Sequence, residues 1–136
     1  MCGICGILRF DTQGPDRQMI ERMLVPIAKR GPDDSGLHIQ GPVGLGHRRL
    51  SIIDLSAKSH QPMIDRQSGL TIVFNGSIYN YPQLRSELIA LGHRFDSNGD
   101  TEVILRAYAE WGEEAVRRLI GMFAFVIWDP RDQSLF

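Results

Sequence analysis

A cysteine follows the first methionine, in Met1-Cys2-Gly3-Ile4-Cys5-Gly6. Once Met1 is removed, Cys2 carries a free thiol and a free α-amine on one residue. A thiol attacks as its thiolate, and an adjacent base can take its proton. The α-amine, with an unperturbed pKa of about 8, is close to the roughly 8.5 of a free thiol. Nucleophile and base then sit together and no distant histidine is needed. Two other readings stand beside this one. Cys2 and Cys5 form a C-x-x-C pair, a redox couple or half of a zinc site. A redox pair of that type follows a strand and opens a helix, and here nothing precedes it. A structural zinc site needs four ligands, whereas His38, His47, His60 and His93 are scattered. In the plainest reading, Cys5 is a small core residue of an N-terminal strand.

Three further groups have a chemical and a plain interpretation. Arg48 and Arg49 lie between apolar residues, either as a solvated strand edge or with one guanidinium holding a carboxylate bidentately. Asn75-Gly76 is a strong tight-turn signal; alternatively its side-chain amide and the Gly76 N–H point at a developing oxyanion. Asp100 caps a helix, and the same carboxylate can bind a ligand ammonium group.

These groups need elements to hold them. The 136 residues amount to one domain or part of one. Strands are predicted at 4–10, 37–39, 43–50, 70–74, 122–128 and from 133 to the end, with a turn at 11–15. The 133–136 strand has no partner in that reading. Asp16 is placed to cap a helix with Met19, Ile20, Met23, Leu24 and Ile27 on its apolar face, ended near Val25 by Pro26. Residues 30–36 and 56–68 read as loops, the latter anchored by Gln61-Pro62-Met63. Asn80 and Pro82 open a second helix, with Leu84, Leu88 and Leu91 on one face and Gly92 as its stop. A third runs from the Asp100 cap to Gly112, and a short fourth covers 113–119. The 70–74 and 122–128 runs are apolar on both faces, which calls for two packed sheets backed by helices.

Composition narrows the function classes. Fifteen basic and sixteen acidic residues leave a net charge of −1. No Lys/Arg-rich run marks a nucleic-acid or anionic-membrane partner. No apolar run is long enough to span a bilayer, and the N-terminus lacks the form of a signal peptide. Two cysteines three apart cannot staple a fold, which fits a reducing cytoplasm.

Seven short motifs follow one another along the chain. They are Cys2-Gly-Ile-Cys-Gly, Arg30-Gly-Pro-Asp33, His47-Arg-Arg-Leu-Ser-Ile-Ile-Asp54, Gln61-Pro-Met63, Phe74-Asn-Gly-Ser-Ile-Tyr-Asn80, Gly99-Asp-Thr-Glu102 and Gly121-Met-Phe-Ala-Phe125. In that order they resemble the glutaminase domain of class II glutamine amidotransferases, in the asparagine-synthetase-like branch. The resemblance implies an α+β, N-terminal-nucleophile hydrolase fold, an αββα four-layer sandwich of antiparallel sheets. It implies glutamine as substrate, hydrolysed to glutamate and ammonia for an ATP-dependent ligase step of amino-acid biosynthesis. By the resemblance, Cys2 becomes the nucleophile and its α-amine the base, acting through a water. Asn75 and Gly76 become the oxyanion hole. Arg49 takes the substrate α-carboxylate and Asp100 its α-ammonium, with Leu50, Ile52 and Gly99 lining the pocket through backbone groups. No metal or cofactor is expected in this domain; ATP and Mg²⁺ belong to a synthetase domain, the ammonia-accepting partner.

Three departures shape the expectations. Ser77 stands where these synthetases carry Glu, so one carboxylate for the ammonium is missing and weaker glutamine binding is expected. Residues 1–136 read as an incomplete glutaminase domain, truncated at its C-terminus, with the synthetase domain absent. While Met1 is retained the Cys2 nitrogen is an amide, and the chain is expected to be silent. The competing reading is an inert fragment that acts by association, its open strand edge inviting a homodimer.

Overall fold

Strands apolar on both faces need cover on both sides, and two packed sheets with outer helices supply it. The computed structural model describes residues 1–11 and 13–136; Thr12, inside the predicted 11–15 turn, lies outside the described residues. The first sheet is built from β1 (Gly3–Leu8), β2 (Asp34–Gln40) and β3 (Val43–Arg49) in the order β1-β3-β2, all antiparallel. The second holds β4 (Met63–Ile64), β5 (Thr71–Ile78), β6 (Gly121–Asp129) and β7 (Ser134–Leu135) in sequence order, also antiparallel. Helix α1 (Arg17–Leu24) packs on the first sheet, while α2 (Tyr81–Ala90) and α3 (Asp100–Trp111) back the second. The layers run α, β, β, α, as the resemblance implies.

Alternation along the strands sorts the core into two. Val43 and Leu45 of β3 meet Val73 of β5 and Trp128 of β6 between the sheets. Ile72, Phe74 and Ile78 of β5 turn the other way, onto Leu84 and Leu88 of α2 and Val103, Ile104 and Ala107 of α3. Each fully buried Ile or Leu contributes about 1.5–3 kcal/mol. On the outer face of β3, Gly44 and Gly46 form a flat floor for α1: a Cβ on either would sit 2.9 Å from a methyl carbon of Ile20. Asp16 caps α1 through Gln18 N–H at 3.0 Å, and the helix ends at Leu24, two residues before Pro26.

Several elements differ from the sequence reading. Asn75-Gly76 is not a turn. Pairing between β5 and β6 continues through Ile78 opposite Gly121, so both residues lie inside a strand. The tight-turn signal yields because Gly76 faces Phe123, where a Cβ would come within 2.3 Å of Met122 O. Asp100 is not the cap of α3; Gly99 holds that position with no side-chain cap bond, and Asp100 is the first helical residue. Asn80 likewise makes no cap bond, because its side chain ties Arg118 O and Ile120 N–H at 2.9 Å each. The short fourth helix predicted at 113–119 is a 3₁₀ segment over Gly112–Arg118. The strand near the chain end has a partner after all: β7 pairs with β6, and Phe136 exchanges two backbone bonds with Ile127. Among the described residues, no helix is long and apolar enough to cross a membrane.

Candidate active site

Where β5 runs past its short neighbour β4, a cleft of about 240 Å³ opens. Cys2, Arg49, Leu50, Ile52, Asn75, Gly76, Ser77, Gly99 and Asp100 all line it. Every site residue read from the sequence is therefore brought to one place. They come from the N-terminus, the end of β3, the middle of β5 and the start of α3.

Cys2 precedes β1, which sets its thiol against the segment that leaves β3. The Leu50 N–H donates to Cys2 Sγ at 3.3 Å, with Leu50 O 3.6 Å from the sulfur. The Cys2 carbonyl accepts Arg30 Nε–H at 3.0 Å. Arg30 opens the Arg30-Gly-Pro-Asp33 motif, a loop with no role in the site in the sequence reading. That loop is docked on the end of β3, Asp33 N–H donating to Arg49 O at 3.0 Å and Ser51 N–H to Asp33 Oδ2 at 2.7 Å. The close approach needs Gly31, whose Cβ would lie 2.3 Å from the Arg48 carbonyl.

Cys5 belongs elsewhere. Its sulfur faces Gly46 on the α1 side, and burial pushes its thiol above the ordinary range, against a smaller pull from a Gly46 backbone bond. Both cysteines are free.

Arg49 is 7% exposed, and its guanidinium donates to Ser56 O at 3.0 Å and also to Asp54 O. Five N–H groups are available on a guanidinium, so these two bonds leave donors for a ligand while fixing the 50–56 loop. Asp54, which the sequence reading did not single out, braces the same loop. Its carboxylate accepts the Asn98 and Ser56 N–H groups at 2.8 Å each, and these hold it well below the usual carboxylate range. The Asp54 charge is thus spent on backbone. Leu50 is half-buried and Ile52 is exposed at the rim.

Asp100 is the opposite case. It is 5% exposed, and its one side-chain bond accepts Ile78 N–H at 3.0 Å. Burial pushes its carboxyl above the ordinary range despite the lowering by the N–H groups of Ile78, Asp100 and Thr101. No cationic side chain pairs with it among the described residues. A buried carboxylate without a cation is costly and suits a ligand that brings one.

Strand geometry sets the rest. The N–H groups of alternate strand residues point to the same edge. On β5 the Phe74 N–H goes to Gln61 Oε1 and the Ile78 N–H to Asp100 Oδ2, both on the edge away from β6. Gly76 lies between them and shares that edge, so its N–H faces the cleft. Side chains of Asn75 and Ser77 share the face of Val73. Asn75 Oδ1 is buried without a partner. His47, which lies in the predicted 43–50 strand, is fully buried between the sheets, with Nε2 3.1 Å from Phe74 O; burial lowers its pKa to about 4, so it is neutral. No group of three or more His, Cys, Asp or Glu side chains among the described residues is placed to hold a metal ion.

A cleft with a thiol, a cation, a buried anion and an edge N–H can bind a zwitterion and attack a carbonyl on it. Residues 1–136 match the model of a glutamine amidotransferase domain. The chain is 43% identical over 139 residues to asparagine synthetase [glutamine-hydrolyzing] 3 of Bacillus subtilis, covering 100% of this chain and 22% of that protein. It is 39% identical over 147 residues to amidase chry2 of Gibberella zeae, covering 97% of this chain and 22% of that one. The fold is similar to a solved glutamine phosphoribosylpyrophosphate amidotransferase from B. subtilis, with a TM-score of 0.55 at 24% identity, over 67% of this chain and 22% of that chain. The chain spans about a fifth of the length of the curated relatives it matches.

Proposed function

The chain belongs to the glutamine amidotransferase domain family, in its asparagine-synthetase-like branch, and on that premise we propose that its cleft hydrolyses glutamine to glutamate and ammonia. One observation carries the reading: Cys2, Arg49, Asn75, Gly76 and Asp100, from four separate parts of the chain, line one cleft. Glutamine needs a cation for its α-carboxylate, an anion for its α-ammonium and a reactive centre at its side-chain amide. Arg49, Asp100 and Cys2 meet those three needs.

In this reading the Cys2 α-amine, freed of Met1, takes the thiol proton through a water. The thiolate adds to the amide carbon, and the charge moves to oxygen, where the Asn75 amide and the Gly76 N–H donate to it. A donor of that kind is worth about 3–4 kcal/mol of barrier. The protonated amine returns its proton to the departing nitrogen, which leaves as ammonia as the C–N bond breaks. Water then cleaves the thioester, releasing glutamate and restoring the thiol. Arg30 and Leu50 hold the Cys2 backbone and sulfur throughout, and Leu50, Ile52 and Gly99 shape the pocket wall. Ser77 supplies no charge, so the ammonium relies on Asp100 alone.

No step above uses ATP or Mg²⁺. We assign ATP, Mg²⁺ and the ammonia acceptor to a synthetase partner domain; the 43%-identical relative carries the name asparagine synthetase [glutamine-hydrolyzing] 3. The test is equimolar release of glutamate and ammonia from glutamine by protein with a confirmed free N-terminal Cys2. Cys2→Ala is expected to abolish both products; equal turnover by that variant would refute the assignment.

A further inference from the structure

The backbone that leads into Asn75-Gly76 is held by a residue outside the reacting set. Strand β4 contributes only Met63 and Ile64, opposite Ile72 and Thr71. Continuing that register sets Phe74 opposite Gln61, but the strand has already ended. The Gln61 side chain takes the missing place. Its Oε1 accepts the Phe74 N–H at 2.7 Å, which requires the acceptor end there, and its Nε2 donates to Thr101 Oγ1 at 3.2 Å. Gln61 is 5% exposed and Thr101 4%. Both polar ends of Gln61 are therefore occupied by protein, although the residue borders the cleft. On the same edge the Phe74 carbonyl faces His47 Nε2, so both backbone groups of Phe74 depend on side chains where a strand would normally serve.

We propose that Gln61 is a positioning residue that ties the β5 segment carrying Asn75 and Gly76 to the first turn of α3 carrying Asp100, and so fixes the spacing between oxyanion donors and substrate-ammonium site. This rests on the hydrolase reading above. Two sites must act on one small molecule, the amide at one end and the ammonium at the other. They lie on separate elements, β5 and α3, and the Asp100 carboxylate and the Gln61 amide are the two side-chain links between those elements near the cleft. Asp100 is itself the ligand group, so its bond to Ile78 is open to perturbation when substrate binds. Gln61 has no such second task. Its loss frees the Phe74 N–H, which is costly when buried, and lets the strand shift by the fractions of an ångström to which donor geometry is sensitive.

The test uses the parent, Gln61→Met and Thr101→Val, all with a free N-terminal Cys2. Active sites are counted with a diazoketone analogue of glutamine that alkylates the thiol, and kcat and KM for glutamate release are read per counted site. Gln61→Met keeps the volume but neither donates nor accepts; kcat per site is expected to fall about thirtyfold and KM to rise about threefold. A merely structural role would lower the melting temperature and the number of counted sites while leaving kcat and KM per site at the parent's values, and that result would overturn the proposal. If Gln61→Met does not fold, Thr101→Val, which cuts only the α3 end, decides: a KM raised about threefold supports the tie, and unchanged kcat and KM overturn it. A parent that turns over no glutamine refutes the hydrolase reading itself, a failure separate from an active parent with unaltered variants.

Discussion

At the scale of single residues, the cleft trades stability for charge. Asp100 is buried and its carboxyl is raised by that burial. With a folded pKa above the unfolded one, the native state holds more protons across that interval, so stability falls as pH rises through it. Ionised Asp100 therefore costs the free protein stability at neutral pH. Asp100→Asn keeps an acceptor for the Ile78 N–H and removes the charge. We expect this variant to melt higher than the parent by thermal denaturation, and its glutamine KM to rise about tenfold or more through loss of the ammonium partner. A variant that melts lower, or binds glutamine as before, would remove Asp100 from this role. Asn75→Ala should leave KM near the parent value and cut kcat by about 10²–10³, as loss of one oxyanion donor does elsewhere; steady-state kinetics read the split. From residue types alone Arg49, Asn75-Gly76 and Asp100 each kept a plain reading beside a chemical one, and only the resemblance gave them roles; the structure brings them and Cys2 to one cleft. Asp54 and Arg30 were not singled out, because their work is done on backbone groups brought near only by folding.

At the scale of elements, β5 decides the site. It gives Ile72, Phe74 and Ile78 to the helix-side core, Val73 to the core between the sheets, and an open edge to the cleft. Its extent was misjudged from sequence, since Asn-Gly signals a turn locally and only the pairing with β6 overrides that signal. The start of α3 was misjudged for a related reason: the Asp100 carboxylate serves a strand N–H from a distant part of the chain, and Gly99 takes the cap position. Helix faces and two-sided strands, by contrast, were readable, because their periodicity is local. Gly76→Ala would place a Cβ 2.3 Å from Met122 O and 2.6 Å from Phe123 Cα. We expect about 1–3 kcal/mol of destabilisation by denaturant titration, together with loss of turnover as the edge N–H shifts. The buried His47 between the sheets adds a pH dependence. Its folded pKa of about 4 lies below the unfolded value, so the native state holds fewer protons between roughly pH 6.5 and 4. Stability should therefore fall as pH drops through that window, by up to about 3 kcal/mol. His47→Gln, which keeps a donor for Phe74 O, should flatten that slope in pH-dependent melting; an unchanged slope would assign it to other groups.

For the whole molecule, the four layers explain why the two cysteines have different fates. The first sheet separates them, Cys5 against α1 and Cys2 at the cleft, so the C-x-x-C spacing in the sequence does not become a pair in space. Order of motifs along the chain made the family readable, and the 43% identity over the full chain agrees with it. The N-terminus, residues 49–54, β5 and the start of α3 then line one cleft, a placement no local pattern encodes. The account stands on the Cys2 nitrogen being an amine when it reacts. Glutamate release should therefore be measured side by side for protein retaining Met1 and protein whose Met1 has been removed, each verified by intact mass. We expect turnover from the second and none from the first; equal activity in both, or glutamate release from the Met1-bearing form alone, would contradict the account.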